Sequence, residues 1–152
     1  MGISSKTVTE GDDLLRYIPQ RGIIVMVDKY YGTEGDLSYS ALEIKPDNIF
    51  VENGKFNESG VLEHIAQSCA LRAGYFCEQQ NSDVTIGYIG AVKKMKYFKL
   101  PSVGDVIFTK IRTEQEIFDV SLVTAETECN GELIATCEIK IFLDKKDKNR
   151  SD

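Results

Sequence analysis

The chain has 152 residues, of which 42% are hydrophobic, and its net charge is −6 at pH 7. This size and composition predict one globular domain over residues 1–143 and a charged, disordered tail over residues 144–152. The negative charge argues against nucleic acid and anionic membranes as partners, and no apolar run is long enough to span a bilayer. Because the first residues also lack the apolar core of a signal peptide, we expect a cytoplasmic protein.

The first part of the chain shows short helical and extended patterns. Residues 12–17 predict a short helix that ends before Pro19. The apolar run at residues 23–29 predicts a buried strand, and the alternation at residues 36–44 predicts a second one. Residues 46–57 are typical of a loop.

Residues 60–79 predict one long amphipathic helix. Ala70, Ala73 and Gly74 are small, so another backbone surface could approach the helix closely, which suits a helix wrapped by a curved sheet. The apolar residues of the predicted helix recur at spacings of one, three and four, as one stripe of a helix does: Leu62, Ile65, Ala66, Cys69, Ala73, Phe76 and Cys77.

After the helix the pattern changes to strands separated by turns. Residues 100–105 are rich in turn formers, and Asn130–Gly131 is typical of a type I′ hairpin turn, in which both residues have positive φ. This order predicts an α+β domain with one helix packed on one antiparallel sheet. The predicted strands are residues 85–92, 95–98, 106–113, 117–127 and 132–143.

Four cysteines and one histidine limit the metal and redox chemistry of the chain. The cysteines lack CxxC spacing, and a single histidine does not favour a zinc site. We therefore expect reduced, buried thiols, and no metal or redox cofactor is implied. The cysteines are Cys69, Cys77, Cys129 and Cys137.

Glu63 and Gln67 are the candidate functional pair. They lie four residues apart and share one face of the predicted helix, where two polar side chains cost free energy unless they are paired. A carboxylate oriented by an amide in the first turn of a helix suits acid or base work on a small substrate. The alternative is structural, in which Glu63 offsets the helix dipole or bonds back to a capping residue at Ser59 or Gly60.

Several short motifs occur together in a known order. Residues 17–28 are similar to a PHR…VD opening, and residues 53–56 (NGKF) stand where a GHFP motif is expected. Residues 63–67 (EHIAQ) are similar to EAxAQ, and residues 90–105 contain a later strand and a PxxPGD-like turn. From residue 15 to residue 143 the chain resembles the β-hydroxyacyl-acyl-carrier-protein dehydratase branch of the hot-dog fold, and within it a subset associated with aryl-polyene-type pigment gene clusters.

This resemblance implies a double hot dog, in which two protomers join their sheets edge to edge and form the active sites at their interface. In the family, a histidine of one subunit removes the α-proton of a 3-hydroxyacyl thioester, and a helix carboxylate of the other protonates the leaving hydroxyl. Glu63 matches that carboxylate and Gln67 the helix amide, while amides at the helix N-terminus hold the thioester carbonyl. The implied substrate-binding residues are Gly54, Phe56, Gly60 and Val61.

The family's catalytic histidine is absent from the matching position. Lys55 stands there, eight positions before Glu63, whereas the family has a longer, proline-rich loop between its two catalytic residues. A lysine of ordinary pKa, about 10.4, is a cation at neutral pH and becomes a base only if burial lowers that pKa. His64 follows Glu63 directly and points about 100° away around the helix, so we predict a surface or interface histidine.

Three functions stay open on the sequence alone. The first is dehydration of a 3-hydroxyacyl group carried by acyl carrier protein or coenzyme A, in fatty acid or polyene-type metabolism. The second is thioester hydrolysis, which some hot-dog enzymes perform with one helix carboxylate and helix-terminal amides. The third is a non-catalytic acyl-binding subunit that partners an active homologue. We expect a homodimer or higher oligomer, and four lysines could receive the carrier protein: Lys93, Lys94, Lys96 and Lys99.

Overall fold

A computed structural model describes residues 6–81 and 86–144. Of the tail predicted at residues 144–152, Asp144 is the last residue of the final strand, and residues 145–152 lie outside the described ranges. The long helix and the later strands follow the predicted order, whereas the elements before the helix differ in part from the prediction. In chain order they are β1 (Thr9–Glu10), a first 3-10 helix (Gly11–Tyr17), a second 3-10 helix (Gly22–Ile24), β2 (Lys29–Glu34), β3 (Leu37–Glu43), β4 (Val51–Glu52), β5 (Lys55–Phe56), α1 (Glu58–Gln79), β6 (Ile86–Tyr97), β7 (Val106–Ile117), β8 (Val120–Cys129) and β9 (Glu132–Asp144).

Seven of these strands form one antiparallel sheet in the order β1-β2-β3-β7-β8-β9-β6. Strands β7, β8 and β9 form the predicted meander, and β6, which follows α1 in the chain, lies at one edge beside β9. Strands β4 and β5 form a separate hairpin before α1. One long helix on one antiparallel sheet is the predicted α+β architecture, which is confirmed.

The main apolar core lies between α1 and the inward face of the sheet. Val61, Ile65 and Cys69 recur every four residues, so they form one stripe of α1 and pack in a single cluster with the strands. On β8, inward positions alternate with more exposed ones, as expected for a sheet with one buried face. The buried strand residues of this cluster include Ile107, Ile111, Val123, Ala125 and Ile139.

The C-terminal half of α1 packs on the first 3-10 helix. Leu71 is fully buried in a second cluster that also contains Leu14 and Tyr17. A Cβ added at Gly74 would lie 2.2 Å from the carbonyl oxygen of Tyr17, so glycine is required for this approach. The small residues of α1 do admit a second backbone, but at Gly74 that backbone is the 3-10 helix and not the predicted sheet.

α1 begins at Glu58, two residues before the predicted start. Asn57 is its N-cap, because the Asn57 Oδ1 accepts a hydrogen bond of 2.9 Å from the Gly60 amide. The capping position expected at Ser59 or Gly60 is therefore wrong. Because the helix starts earlier, Glu63 lies in its second turn.

The buried strand predicted at residues 23–29 is wrong. The chain forms the second 3-10 helix there, and a regular strand begins only at Lys29. Gly22 has a positive φ of 73°, and the Val25 amide bonds back to the Gly22 carbonyl, which closes a turn. The Met26 amide and carbonyl then bond to side chains of α1 instead of a neighbouring strand. Of the apolar run, Met26 and Val27 are buried whereas Ile23 is 78% exposed, so the run predicted neither a strand nor uniform burial.

Residues 46–57, predicted as a loop, contain the hairpin β4–β5. Its turn is Asn53–Gly54, with φ of 51° and 76°. The predicted turn at Asn130–Gly131 is confirmed, with φ of 53° and 79°. Both are two-residue turns with positive φ, and the first escaped prediction because its strands have only two residues each.

β6 is one strand, where the sequence pattern predicted two. Its pairing with β9 changes register between Ile89 and Ala91 and again between Lys93 and Lys96. Such bulges interrupt the alternation of side chains along a strand. The interrupted pattern therefore resembles a strand end in the sequence.

β7 continues to Ile117, although the pattern predicted an end at residue 113 and a new strand from 117. The turn lies at Phe118–Asp119, where Phe118 has a φ of 54° and is 91% exposed. Turn prediction relies on Gly, Asn and related residues, so a phenylalanine with positive φ gave no signal.

Candidate active site

Glu63 is a partly exposed carboxylate on α1. Its Oε1 accepts a hydrogen bond of 2.8 Å from Gln67 Nε2, so the two side chains pair on one helix face, as their spacing predicted. The cap bond of the helix joins Asn57 and Gly60, and the helix dipole acts mainly in the first turn. Glu63 is therefore neither the capping partner nor at the charged end of the dipole.

Gln67 is fully buried, and both polar atoms of its amide are engaged. Oε1 accepts from the Met26 amide at 2.6 Å, while Nε2 donates to the Ile24 carbonyl at 2.7 Å and to Glu63. The amide thus links α1 to Ile24, at the end of the second 3-10 helix, and to Met26, which follows it. A buried amide with these bonds is a rigid support for the carboxylate beside it.

His64 is fully buried, so the predicted surface or interface position is wrong. Its Nδ1 lies 2.7 Å from the Met26 carbonyl oxygen, and its Nε2 lies 2.9 Å from Thr109 Oγ1. Burial lowers the pKa of His64 to about 4, so the ring is neutral at pH 7. Although the helix turns His64 away from Glu63 as predicted, it turns the ring toward β7 and not toward solvent.

Lys55 and Gly54 lie on the hairpin before α1. The Lys55 ammonium is exposed and donates a hydrogen bond of 2.9 Å to Ser102 Oγ. The Gly54 carbonyl accepts from the Val103 amide at 3.0 Å. The Ser102 amide donates in turn to Asp105, and this bond lowers the pKa of the Asp105 carboxyl. The hairpin is therefore tied to the turn at residues 101–105.

The other residues implied as substrate contacts shape the start of α1. Phe56 and Val61 are fully buried in the main core, so their side chains support the helix from inside. A Cβ added at Gly60 would lie 2.6 Å from the Phe56 ring, which explains the glycine. The amides of Gly60 and Val61 both bond to Asn57, through its side chain and its carbonyl.

Sequence reasoning missed Thr109 and Thr127, which extend the contacts of His64. Both are fully buried, and their hydroxyl oxygens lie 2.7 Å apart. Thr109 stands between the buried residues Ile107 and Ile111 on the inward row of β7. A polar residue in such a row needs a buried hydrogen-bond partner. The position of Thr109 between two apolar inward residues could therefore have predicted a buried polar contact.

The cysteines are buried and form no disulfide bonds, as predicted: Cys69, Cys77, Cys129 and Cys137. Burial raises the pKa of the Cys69 thiol to about 12 and that of Cys137 to about 11, so both stay protonated. In the described ranges, no group of three or more His, Cys, Asp or Glu side chains could hold a metal ion. No helix described here is long and apolar enough to cross a membrane.

Comparison with known families gives a match over most of the chain. The model of the ApeP-like family, described as ApeP dehydratase, matches residues 13–151. This match confirms the predicted resemblance to dehydratases. None of the curated proteins matches the chain.

Solved structures show the fold. A chain of the dehydratase heterocomplex ApeI:P from Xenorhabdus doucetiae aligns with a TM-score of 0.80 and 14% identity over 88% of this chain and 91% of that chain. A Streptococcus mutans protein bound to acetyl-CoA aligns at 0.65 and 13% identity, over 87% and 99%. A hypothetical thioesterase with coenzyme A from Streptococcus pneumoniae aligns at 0.62 and 10% identity, over 77% and 85%. The predicted hot-dog fold is confirmed.

Proposed function

Since the chain belongs to the ApeP-like dehydratase family, we propose that it supplies the acid of a site that removes water from a 3-hydroxyacyl thioester. A base takes the α-proton, Glu63 protonates the leaving 3-hydroxyl, and the products are water and the 2,3-unsaturated thioester. The bond of 2.8 Å from Gln67 supports this role, because it directs one oxygen of a partly exposed carboxylate.

The base comes, in this proposal, from a second chain. The sequence contains one histidine, and His64 is fully buried with both ring nitrogens hydrogen-bonded. Its pKa of about 4 also makes it a weak base at neutral pH. This observation carries the proposal, since the carboxylate of the catalytic pair is accessible whereas the only imidazole of the chain is not.

A hot-dog homologue that carries the family histidine is the partner that fits. ApeI:P is itself a dehydratase heterocomplex. Strand β6 lies at the edge of the sheet and pairs there with β9 alone among the described strands, so its other side offers backbone groups to a second sheet. We therefore favour a mixed double hot dog over a homodimer.

The thioester carbonyl would bind at the start of α1. The amides of Glu58 and Ser59 precede the two that Asn57 already engages, and the first amides of an α-helix have no intrahelical partner. Gly54 and Phe56 lie on the hairpin that leads into this point. Lys55 ties the hairpin to the next turn through its bond to Ser102, and we do not assign it the role of base.

The carrier is acyl carrier protein or coenzyme A, bound as the thioester. Lys93 and Lys96 are exposed on β6, while Lys94 and Lys99 form ion pairs with glutamates on β9, at 3.4 Å and 3.6 Å. These pairs reduce the positive charge that the lysine cluster offers to an acidic carrier protein. We also infer a cytoplasmic location, because the four cysteines are buried and form no disulfide bonds.

The test is mass spectrometry of 3-hydroxyacyl-carrier-protein substrates incubated with the chain alone and with a hot-dog dehydratase subunit that carries the GHFP histidine. We expect loss of water from the acyl group in the mixed complex, reduced about 10²- to 10⁴-fold by Glu63→Gln. Glu78→Gln is the matched control, because Glu78 is an exposed glutamate at the other end of the same helix. Unchanged dehydration in Glu63→Gln would overturn the proposal.

Thioester hydrolysis is the second candidate function. It is favoured because Glu63 is accessible whereas the His64 imidazole is buried, and some hot-dog thioesterases act with one helix carboxylate. The same experiment separates it from dehydration, because hydrolysis releases free thiol and leaves the hydroxyl on the acyl chain. An intact thioester in every combination would instead favour the acyl-binding subunit.

A further inference from the structure

A continuous series of hydrogen bonds connects Glu63 to the interior of the sheet. On the Glu63 side, the donor and the acceptor of each bond can be assigned in only one way. The Met26 amide can only donate, so Gln67 must present Oε1 to it at 2.6 Å. Gln67 Nε2 therefore points to the Ile24 carbonyl and to Glu63, both of which accept. A reversed amide would place two donors together at Met26 and two acceptors together at Ile24.

The other side of Met26 fixes the histidine in the same way. The Met26 carbonyl can only accept, so His64 Nδ1 carries the proton and donates to it at 2.7 Å. The neutral ring then accepts at Nε2 from the Thr109 hydroxyl, at 2.9 Å. Thr109 Oγ1 accepts in turn from Thr127, at 2.7 Å. The side chains of His64, Thr109 and Thr127 are all fully buried.

We propose that His64 and Thr109 are positioning residues for the Glu63 carboxylate. Met26 belongs to no strand, and both of its backbone polar groups bond to side chains of α1. The position of the Met26 backbone therefore depends on its bond to His64. The Met26 amide in turn fixes the orientation of the Gln67 amide, which donates to Glu63. This assignment rests on the proposed function of Glu63 as the acid, and it gives the single histidine a role outside proton transfer.

The test compares Thr109→Val with Thr109→Ser in the dehydratase complex. Valine keeps the shape of threonine but removes the hydroxyl that fixes His64, whereas serine keeps that hydroxyl. We expect kcat to fall about tenfold in Thr109→Val with KM nearly unchanged, and to recover in Thr109→Ser. An unchanged kcat in Thr109→Val, or an equal loss in both variants, would overturn the assignment.

A second readout needs no catalysis, namely hydrogen exchange of the Met26 amide in the folded chain. We expect this amide to exchange about tenfold faster in Thr109→Val than in Thr109→Ser, relative to the amides of the β8–β9 ladder. Equal exchange in the two variants would refute the connection from Thr109 to Met26. If exchange responds but the unmodified complex dehydrates no thioester, the hydrogen-bond connection is supported and the proposed function is what fails.

Discussion

The two halves of α1 are attached to the rest of the chain by different kinds of contact. In the N-terminal half, Gln67 and His64 hold the segment of residues 24–28 through directed hydrogen bonds. In the C-terminal half, Gly74 lies against the Tyr17 backbone, and the Tyr75 ring packs edge-on against neighbouring tyrosine rings. The N-terminal half thus adds buried, directed hydrogen bonds to its apolar packing, whereas the polar contacts of the C-terminal half are the partly exposed ones of Glu78 with Tyr17 and Arg16.

This difference explains how a reactive group can be held on a core helix. Close packing fixes where a helix lies, but it does not fix the direction of a polar side chain. Hydrogen bonds from a buried amide fix the direction of a side chain that is itself partly exposed, as Gln67 does for Glu63. The candidate acid, Glu63, therefore lies in the N-terminal half, where such hydrogen bonds occur. Substitutions in each half separate the two kinds of contact.

The largest loss of stability is expected in the N-terminal half, for Gln67→Leu. The Met26 amide and the Ile24 carbonyl would each lose a partner in a buried site, and each such loss costs about 1–3 kcal/mol. We expect the free energy of unfolding in urea to fall by about 4 kcal/mol, with no change for Gln79→Leu at the exposed end of the helix. A loss below about 1 kcal/mol would show that this half does not depend on the amide.

The next effect is the pH dependence of stability. In the folded chain the pKa of His64 is about 4, against an ordinary value of 6.5. Between these values the unfolded state binds a proton that the folded state does not, so stability falls as pH falls, by about 3 kcal/mol over the interval. Urea unfolding between pH 7 and pH 5 would measure this slope. A variant without the imidazole, His64→Asn, should show a flatter slope, and an equal slope in both proteins would contradict the assignment.

Gly74→Ala tests the close packing of the C-terminal half. At an exposed helical position this substitution would raise the free energy of unfolding, whereas at Gly74 we expect it to lower that free energy. At the exposed position, alanine is more favourable than glycine by about 1 kcal/mol. At Gly74 the new Cβ would lie 2.2 Å from a backbone oxygen, so we expect a loss of about 2 kcal/mol in thermal or urea unfolding. A stabilised Gly74→Ala protein would mean that the helix and the 3-10 helix are not in close contact.

The smallest expected effect is that of Tyr75→Leu. The Tyr75 ring lies 5.7 Å from the ring of Tyr17 and 5.3 Å from that of Tyr30, in edge-on geometry. Such pairs contribute about 0.5–1.5 kcal/mol beyond area burial, so we expect a loss of about 1 kcal/mol. Phe76→Leu is the matched control, because Phe76 is 61% exposed and its replacement should change little. Equal losses would show that the tyrosine contacts contribute nothing specific.

The sequence predicted the parts of the molecule that depend on periodicity and local turn chemistry. The long helix, the alternation of β8 and the turn at Asn130–Gly131 depend on neighbours along the chain, and all three are confirmed. The predicted stripe of the helix is confirmed only in part, because Ile65, Cys69 and Cys77 are buried whereas Phe76 is 61% exposed. The pairing of Glu63 with Gln67 is also local, because it follows from a spacing of four in a helix.

What the sequence could not predict depends on contacts between distant segments. The run at residues 23–29 is apolar, but Met26 finds its hydrogen-bond partners 38 and 41 residues further along the chain. His64 was predicted to lie near the surface because helical geometry gives only a direction, and not what lies in that direction. Thr109, 45 residues beyond His64, supplies the missing partner.

The central claim is that this chain provides the acid of the site and not the base, and an NMR pH titration of its single histidine tests this most directly. We predict a neutral ring, protonated at Nδ1, with a midpoint near pH 4 or no titration before the chain unfolds. A midpoint near 6.5 in the folded chain would contradict the claim. His64 would then reach solvent and become a candidate base, and a histidine from a second chain would no longer be needed.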